Sequence, residues 1–295
     1  MDNTLSHWLH LREPADFAAR SATLTRAIAE AMPRGAPVSL LDLGTGTGSN
    51  VRYLAEHLPA AQRWLAVDRD PTLLAELPQR MSSWSAARGY WTTMVRGRWV
   101  ARNRDLDCQV ETEQRDLETL DDERLFAGRH LVTASALLDL VSESWLLALA
   151  THCRAAGTLA LFAITYNGRF TCAPTEDEDD MVRELMNRHQ RTDKGLGGPA
   201  AGPDAAIRAE QCFAGVGYRV RREPSDWTLG PAEHDVQRLL IDGWAQAAIE
   251  ISPERATVIE RWHARRLAHL DAGRSRIVVG HDDLAAWPPG THPPR

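Results

Sequence analysis

The chain has 295 residues, of which 43% are hydrophobic and 25% charged, with a formal net charge of −6 at pH 7. It is long enough for one large α/β domain or a core with sizeable insertions, and its acidic balance disfavours nucleic acid as a partner. The four cysteines are scattered and form no C-x-x-C pair, so no metal is expected. The sequence has no apolar run of about 18 residues and no basic leader, so we expect a cytoplasmic protein that is not inserted in a membrane.

The first part of the chain alternates predicted helices and strands. Apolar residues at helical spacing predict a helix over 14–32, and a short apolar run predicts a buried strand over 38–43. A helix over 51–58, a strand over 64–67 and a helix opened by Pro71 follow. The alternation resumes at Cys108 with CQVET, LETLDDERLF, HLVTAS, ESWLLALATHC and GTLALFAIT. This pattern predicts βαβ units and a parallel sheet.

The regular alternation stops after Thr165. We expect a substrate lid over 166–203, then a helix, a strand GYRVRRE, a helical cap over 225–271, and a last strand SRIVVG. The exposed face of the cap is also a candidate dimer contact. Residues 1–36 are predicted to form an N-terminal helical lid, with Trp8 and Arg12 folded over the site, and residues 37–295 the main domain.

The stretch LLDLGTGTGSN places Asp42 and three glycines between the first strand and the next helix. Ligands of open parallel sheets bind at the carboxyl ends of strands, where glycines let the backbone come close. Asp68 ends the second strand about 20 residues further on, where a carboxylate can accept hydrogen bonds from ribose hydroxyls. These residues predict a site for a nucleoside cofactor.

Asp42 distinguishes between nucleoside cofactors. A second carboxylate disfavours a pyrophosphate but favours a ligand that carries an ammonium and a sulfonium. Ser49 also occupies the third glycine position of a dinucleotide fingerprint. The motifs DLGTGTG and VDRDP resemble motif I and the acidic loop of class I S-adenosylmethionine-dependent methyltransferases. Asp116 in QRDLE resembles the acidic residue that this family uses for the adenine amino group. The alternative is an NAD-type or ligand-free turn.

The resemblance implies a fold, an activity and a cofactor. The fold is a seven-stranded, mostly parallel Rossmann-like sheet with helices on both faces, its last strand antiparallel and inserted near the edge. The activity is methyl transfer from S-adenosyl-L-methionine. The residues expected to bind this cofactor are Asp42, Gly44, Thr45, Gly46, Gly48, Asp68, Arg69, Asp116, Leu117 and Ser135.

Methyl transfer requires a nucleophile in line with the sulfonium, exclusion of water and often removal of a proton. Candidate side chains therefore follow the fourth and fifth strands, and they include Asp139 and Tyr166. Asp139 could instead cap a helix that begins near Ser142. In this family, the enzymes that methylate the amino groups of nucleic-acid bases carry a tetrapeptide after the fourth strand: Asp or Asn, then two prolines and an aromatic residue. The sequence lacks this tetrapeptide, which argues against adenine or cytosine amines as acceptors.

Lys194 is the only lysine of the chain and follows His189 in HQRTDKGLGG. A T-x-x-E capping box at 175–178 predicts a helix that ends near Arg191, and basic residues at its end would suit the helix dipole without any further role. Alternatively, Lys194 binds an anionic or carbonyl group of the acceptor, and His189 acts as a general base under a glycine-hinged loop.

Two further clusters have alternative interpretations. By residue type His281, Asp282 and Asp283 could be catalytic, but an antiparallel last strand would end at the opposite edge of the sheet, so we predict that they form a solvated turn. Aromatic residues in SSWSAARGYWTTMVRGRW either cover a sheet edge or line a pocket. These residues are Trp84, Tyr90, Trp91 and Trp99.

We expect a methyltransferase that acts on a small polar or anionic metabolite, as a monomer or homodimer. The alternatives are an RNA or protein methyltransferase, an aminopropyl transferase, and a non-catalytic protein that binds the same cofactor.

Overall fold

The computed structural model describes residues 5–291, which form a mixed ten-stranded sheet with helices packed against it. The strands are β1 (Val38–Leu43), β2 (Ala61–Asp68), β3 (Trp91–Val95), β4 (Arg98–Arg102), β5 (Asp107–Gln114), β6 (Leu131–Ser135), β7 (Leu159–Ala173), β8 (Arg219–Pro224), β9 (Trp227–Leu229) and β10 (Arg276–Trp287). The helices are α1 (Leu5–Ala19), α2 (Ala22–Ala31), α3 (Ser49–Ala55), α4 (Pro71–Ala86), α5 (Glu143–Ala156), α6 (Asp179–Gln190), α7 (Ala205–Gly215), α8 (His234–Ile251) and α9 (Ala256–Asp271). No helix within residues 5–291 is long and apolar enough to cross a membrane.

The strand order is β3-β4-β5-β2-β1-β6-β7-β10-β8, and β9 pairs with β10. Strands β5, β2, β1, β6 and β7 are parallel, whereas β10 is antiparallel to both β7 and β8. The α/β class and the antiparallel last strand near the edge are confirmed. The carboxyl ends of β1, β2, β5, β6 and β7 therefore meet at one edge of the sheet.

The predicted number of seven strands is wrong because the hairpin β3–β4 extends the sheet beyond β5 and β9 adds a short strand. Its turn residues Arg96 and Gly97 have φ of 50° and 79°, as a two-residue hairpin turn with positive φ requires. The aromatic cluster belongs to this edge, with Trp84 and Trp99 buried in the core and Trp91 61% exposed.

Two predicted helices differ from the structure because local side-chain hydrogen bonds compete with them. The helix over 14–32 is two helices, since the Ser21 hydroxyl accepts a hydrogen bond from the Leu24 N–H (3.1 Å) and starts α2. The stretch LETLDDERLF contains only a 3-10 turn, Glu123–Leu125, which Asp122 caps.

The predicted end of α6 near Arg191 is confirmed, but the predicted capping box is wrong. Glu178 makes no side-chain cap, and the Asp179 carboxylate instead accepts a hydrogen bond from the Glu176 N–H (2.9 Å). The cap over 225–271 consists mainly of α8 and α9, and α6 packs against α8.

The predicted solvated turn at 281–283 is also wrong. Strand β10 runs on to Trp287 and pairs with β7 and β8, so His281, Asp282 and Asp283 are all buried inside the sheet. The apolar run LAAW after these residues explains why the strand continues.

Candidate active site

The glycine turn joins β1 to α3 at the edge where the parallel strands end. Gly44 and Gly46 have φ of 64° and 55°, which favour glycine. A Cβ atom at Gly44 would lie 3.2 Å from Leu137, and one at Gly46 would lie 3.1 Å from Leu9 of α1. The turn is therefore packed between the loop after β6 and the N-terminal helix.

Asp42 ends β1 in a buried position. Its Oδ1 accepts a hydrogen bond from Asn50 Nδ2 (2.6 Å), whereas its buried Oδ2 has no hydrogen-bond partner. Burial raises the pKa of Asp42 to about 6, against the lowering effects of Thr45, Asn50 and Arg20. A buried carboxylate oxygen without a donor is a favourable position for an ammonium group.

Asp68 ends β2 beside this turn. Its Oδ2 accepts a hydrogen bond from the Gly46 N–H (2.7 Å), and its Oδ1 accepts one from the Asp70 N–H (3.0 Å). The carboxylate is thereby fixed against the glycine turn, and each oxygen keeps acceptor capacity for a ligand hydroxyl.

A first cavity of about 330 Å³ lies over the glycine turn and Asp68. The predicted cofactor residues in its wall are Gly44, Thr45, Gly46, Asp68, Arg69, Leu117 and Ser135. Asp42 and Gly48 are outside the wall, although Asp42 contacts the wall residue Asn50. Asp116 is exposed and accepts a hydrogen bond from the Glu118 N–H (2.9 Å), so it stands next to the wall residue Leu117 without lining the cavity.

Helix α1 supplies part of the same wall. Leu5, Trp8, Leu9, Arg12 and Asp16 line the first cavity. The sequence singled out Trp8 and Arg12 as lid residues, and the structure places both of them here.

A second cavity, of about 510 Å³, adjoins the first. The two share wall residues, which are Trp8, Arg12, Ala136 and Leu140. The rest of the second wall comes from β7, α6, α8, β9 and β10, and it includes Tyr166, Met186, Trp227, Trp244 and Val279. The structure thus places a mostly aromatic and aliphatic cavity directly beside the glycine turn.

Two strained residues lie in the wall of the second cavity. Ala136 and Ile164 have φ of 51° and 53°, which is rare for residues other than glycine and most unusual for a β-branched residue. The Ile164 N–H donates to the buried carboxylate of Asp283 (2.8 Å), which holds this conformation. Such strain is concentrated at functional sites.

Asp139 and Tyr166 both line the second cavity. The Oδ1 of Asp139 is buried without a partner, and burial raises its pKa to about 6. The alternative role of Asp139 as a helix cap is wrong, because Ser142 caps α5. The hydroxyl of Tyr166 donates to Asn187 Oδ1 (2.9 Å), and burial raises the pKa of Tyr166.

His189 lines the second cavity, but Lys194 does not. The Nδ1 of His189 lies 3.4 Å from Lys194 Nζ, and its Nε2 lies 3.0 Å from the Glu250 carboxylate. Burial lowers the pKa of Lys194. Both ring nitrogens of His189 are therefore engaged within the protein, and the base role of His189 and the acceptor-binding role of Lys194 stay predictions.

His281 is a functional candidate that sequence reasoning wrongly assigned to a solvated turn. It is 6% exposed, lines the second cavity, and has a buried Nδ1 without a partner. Burial, and next the charge of Arg12, lower the pKa of His281 to about 3, so the ring is neutral at pH 7. The apolar residues on both sides of HDD were the signal for a buried position. Within the described residues no group of His, Cys, Asp or Glu side chains could hold a metal ion.

No protein-family model matches the chain, and no curated protein matches it. Among solved structures, it is similar to the cyclopropane synthase MmaA2 from Mycobacterium tuberculosis (TM-score 0.48, 11% identity, covering 97% of this chain and 95% of that one). It is also similar to the YcgJ protein from Bacillus subtilis (TM-score 0.46, 14% identity, covering 91% of this chain and 99% of that one). A third similar structure is a phosphoethanolamine N-methyltransferase from Haemonchus contortus, solved with phosphomonomethylethanolamine and S-adenosylhomocysteine (TM-score 0.43, 13% identity, covering 97% of this chain and 58% of that one). At these scores the likenesses assign no substrate to this chain.

Proposed function

We propose that this chain is a methyltransferase of the class I fold that binds S-adenosyl-L-methionine in the first cavity and methylates a small molecule in the second. The observation that carries the proposal is the contact between the two cavities, which share Trp8, Arg12, Ala136 and Leu140 beside the glycine turn. A donor and an acceptor bound in adjoining cavities meet the requirement of an in-line transfer.

The chain's own residues fit this cofactor. Asp68 offers carboxylate oxygens to the ribose hydroxyls, and the unpaired Oδ2 of Asp42 provides an acceptor for the amino group of the methionine part. Leu117 gives an apolar contact for the adenine, and Asp116, at the rim, is the proposed partner of its amino group. When bound, the cofactor supplies an electrophilic methyl group on a sulfonium.

The residues around the second cavity orient the acceptor and exclude water. An acceptor that carries a hydrogen on its nucleophilic atom must lose it as the new bond to carbon forms. Asp139 is the proposed proton acceptor, because burial makes this carboxylate more basic than an exposed one. Helix α1 and the segment 166–203 are the proposed lids, since both contribute to the walls.

The other activities are less well supported. An RNA substrate is disfavoured because the chain is acidic, with a formal net charge of −6 at pH 7. Aminopropyl transfer uses the same fold but another donor. The mass of the product distinguishes methyl transfer from aminopropyl transfer, because a methyl group adds about 14 Da to an acceptor.

The replacement Asp68→Ala tests the cofactor site. It removes the acceptor that holds the Gly46 N–H and the proposed ribose contact. We expect calorimetry to show binding of S-adenosylhomocysteine to the wild-type chain and at least about tenfold weaker binding to the variant. The matched control is Asp105→Ala, which changes an exposed aspartate in the loop before β5. The proposal is wrong if the wild-type chain gives no heat or if the variant binds as tightly.

The replacement Glu13→Gln tests the lid role of α1. The Arg52 guanidinium is 3% exposed, forms a bidentate pair with Glu13 (2.6 and 2.7 Å), and donates to the Thr47 carbonyl in the glycine turn (2.6 Å). Removing the charge of Glu13 leaves Arg52 buried without its counter-ion, which weakens the contact between α1 and the glycine turn. We expect S-adenosylhomocysteine to dissociate about tenfold faster in stopped-flow displacement. Glu30→Gln, at an exposed site on α2, should leave the rate unchanged, and an unchanged rate in Glu13→Gln would count against the lid.

A further inference from the structure

We infer that the second cavity takes a flat, uncharged aromatic acceptor whose hydroxyl or ring N–H donates a hydrogen bond to Asp139 or to His281, which both line this cavity. This inference rests on the proposed function. It replaces the anionic acceptor that the lone lysine suggested with an acceptor class that the wall residues favour.

The aromatic side chains of the wall are fixed by contacts with one another. Trp227 packs edge-on against Trp8 (6.1 Å between ring centroids, 62° between planes) and lies 4.8 Å from the ring of His281. Its Nε1 donates to the buried Asp16 carboxylate (3.1 Å). On the other side Trp244 stacks on Phe170 at 4.0 Å and 6°. Rings held in this way form preformed apolar surfaces, which bind a flat ring system with little loss of entropy.

The polar groups of the wall lack partners where an acceptor would bind. Asp139 Oδ1 and His281 Nδ1 are both buried without hydrogen bonds, and both residues line the second cavity. Buried polar atoms are normally paired, so two unpaired ones in the wall of one cavity point to a ligand that completes them. The carboxylate of Asp139 only accepts hydrogen bonds, which requires a donating group on the ligand, and the neutral ring of His281 can accept or donate a second one according to its tautomer.

The charges around the second cavity disfavour an anionic acceptor. Arg12 is already paired with Asp16 (3.3 Å), and Asp242 is paired with His263 (2.6 Å). The carboxylate of Asp139 remains and would repel an anion. Lys194, the cation that the sequence suggested for this role, contacts His189 and is absent from the wall.

The test compares simple probes of one shape and different charge on the full chain saturated with S-adenosylhomocysteine. The probes are 2-naphthol, 2-naphthoate and the cation benzyltrimethylammonium, and binding is followed by calorimetry and by quenching of tryptophan fluorescence. We expect 2-naphthol to bind at least about tenfold more tightly than 2-naphthoate. Tighter or equal binding of 2-naphthoate or of the cation would overturn the inference.

Variants then assign the contact. We expect 2-naphthol to bind about tenfold more weakly to His281→Ala than to the wild type. The loss should be smaller in His281→Asn, because asparagine keeps polar groups near this position. Asp139→Asn should weaken it similarly, and His152→Ala, at a partly exposed histidine on α5, should not. If every variant melts at the wild-type temperature and binds 2-naphthol as the wild type does, the inference is overturned. Binding of 2-naphthol without any binding of S-adenosylhomocysteine would instead contradict the proposed function alone.

Discussion

The replacement Asp42→Asn is expected to weaken the binding of S-adenosylhomocysteine by about tenfold to a hundredfold at pH 7.5. The physical reason is the buried Oδ2 of Asp42, which has no partner in the free protein and would gain the ammonium of the ligand. An asparagine keeps the size of the side chain but removes the charge. Calorimetry gives the affinity, and circular dichroism checks that the variant is folded.

The same site predicts a pH dependence with a definite sign. Burial raises the pKa of Asp42 in the free protein to about 6, and a bound ammonium lowers it again because it favours the charged form. Affinity should therefore be constant above pH 7 and fall below pH 6 by up to about tenfold per pH unit. The stability of the free protein changes with pH in the opposite direction. The contribution of Asp42 to stability is present below the carboxyl's ordinary pKa of 3.8 and is lost as the pH rises through 6.

A second ligand provides the control for this prediction. 5′-Methylthioadenosine lacks the amino-acid part, so its affinity should change little with Asp42→Asn. Asp16 lines the first cavity too, and burial raises its pKa to about 6, but it is paired with Arg12. A pH dependence of S-adenosylhomocysteine binding that persists in Asp42→Asn would therefore point to Asp16 and contradict the role assigned to Asp42.

The sequence predicted those parts of the site that local pattern determines. The apolar run of β1, the glycines after it, and the carboxylate at the end of β2 lie within a few residues of the features that define them, and the structure brings Asp68 to the Gly46 N–H (2.7 Å). Asp139 was found in the same way, as a side chain that follows a parallel strand. Tyr166 also lies in the second cavity, but it is inside β7, which continues beyond the predicted strand end to Ala173.

The parts that sequence reasoning missed depend on contacts between distant segments. His281 is in the cavity because β10 pairs with β7 over nearly its whole length, and nothing near residue 281 encodes where β7 lies. The partners of His189 show the same limit, since Glu250 is 61 residues away on α8. Lys194 looked exceptional by composition, yet its amine contacts a neighbouring side chain and does not reach the wall.

Buried hydrogen bonds and one buried ion pair connect the two cavities. Asn50 donates to Asp42 and accepts from Arg20 Nη1 (2.8 Å), and the Nε of Arg20 lies 3.6 Å from Asp283. Asp283 in turn holds the strained N–H of Ile164 in the second wall. The conformation of the acceptor side therefore depends on the same buried charges that support the glycine turn.

The replacement Arg266→Ala is expected to destabilise the fold strongly. Arg266 on α9 is fully buried and pairs with Asp179 at the start of α6, through Nε at 3.0 Å and through Nη2. Trp262 Nε1 donates to the same carboxylate (2.8 Å). Removing the arginine leaves a largely buried carboxylate without its counter-ion, which typically costs about 3–5 kcal/mol. Urea denaturation measures this loss.

The neighbouring arginine provides the control, because it has the same chemistry in a more exposed position. Arg265 is 40% exposed and pairs with Glu176 (2.6 Å) and Glu178, so Arg265→Ala should cost only about 0–1 kcal/mol. Since α6 carries Met186 and His189 into the second wall, Arg266→Ala should also weaken 2-naphthol binding more than S-adenosylhomocysteine binding. Equal stability losses in the two variants would mean that burial of this ion pair does not anchor α6. In that case the segment 166–203 would need another contact to hold it over the second cavity.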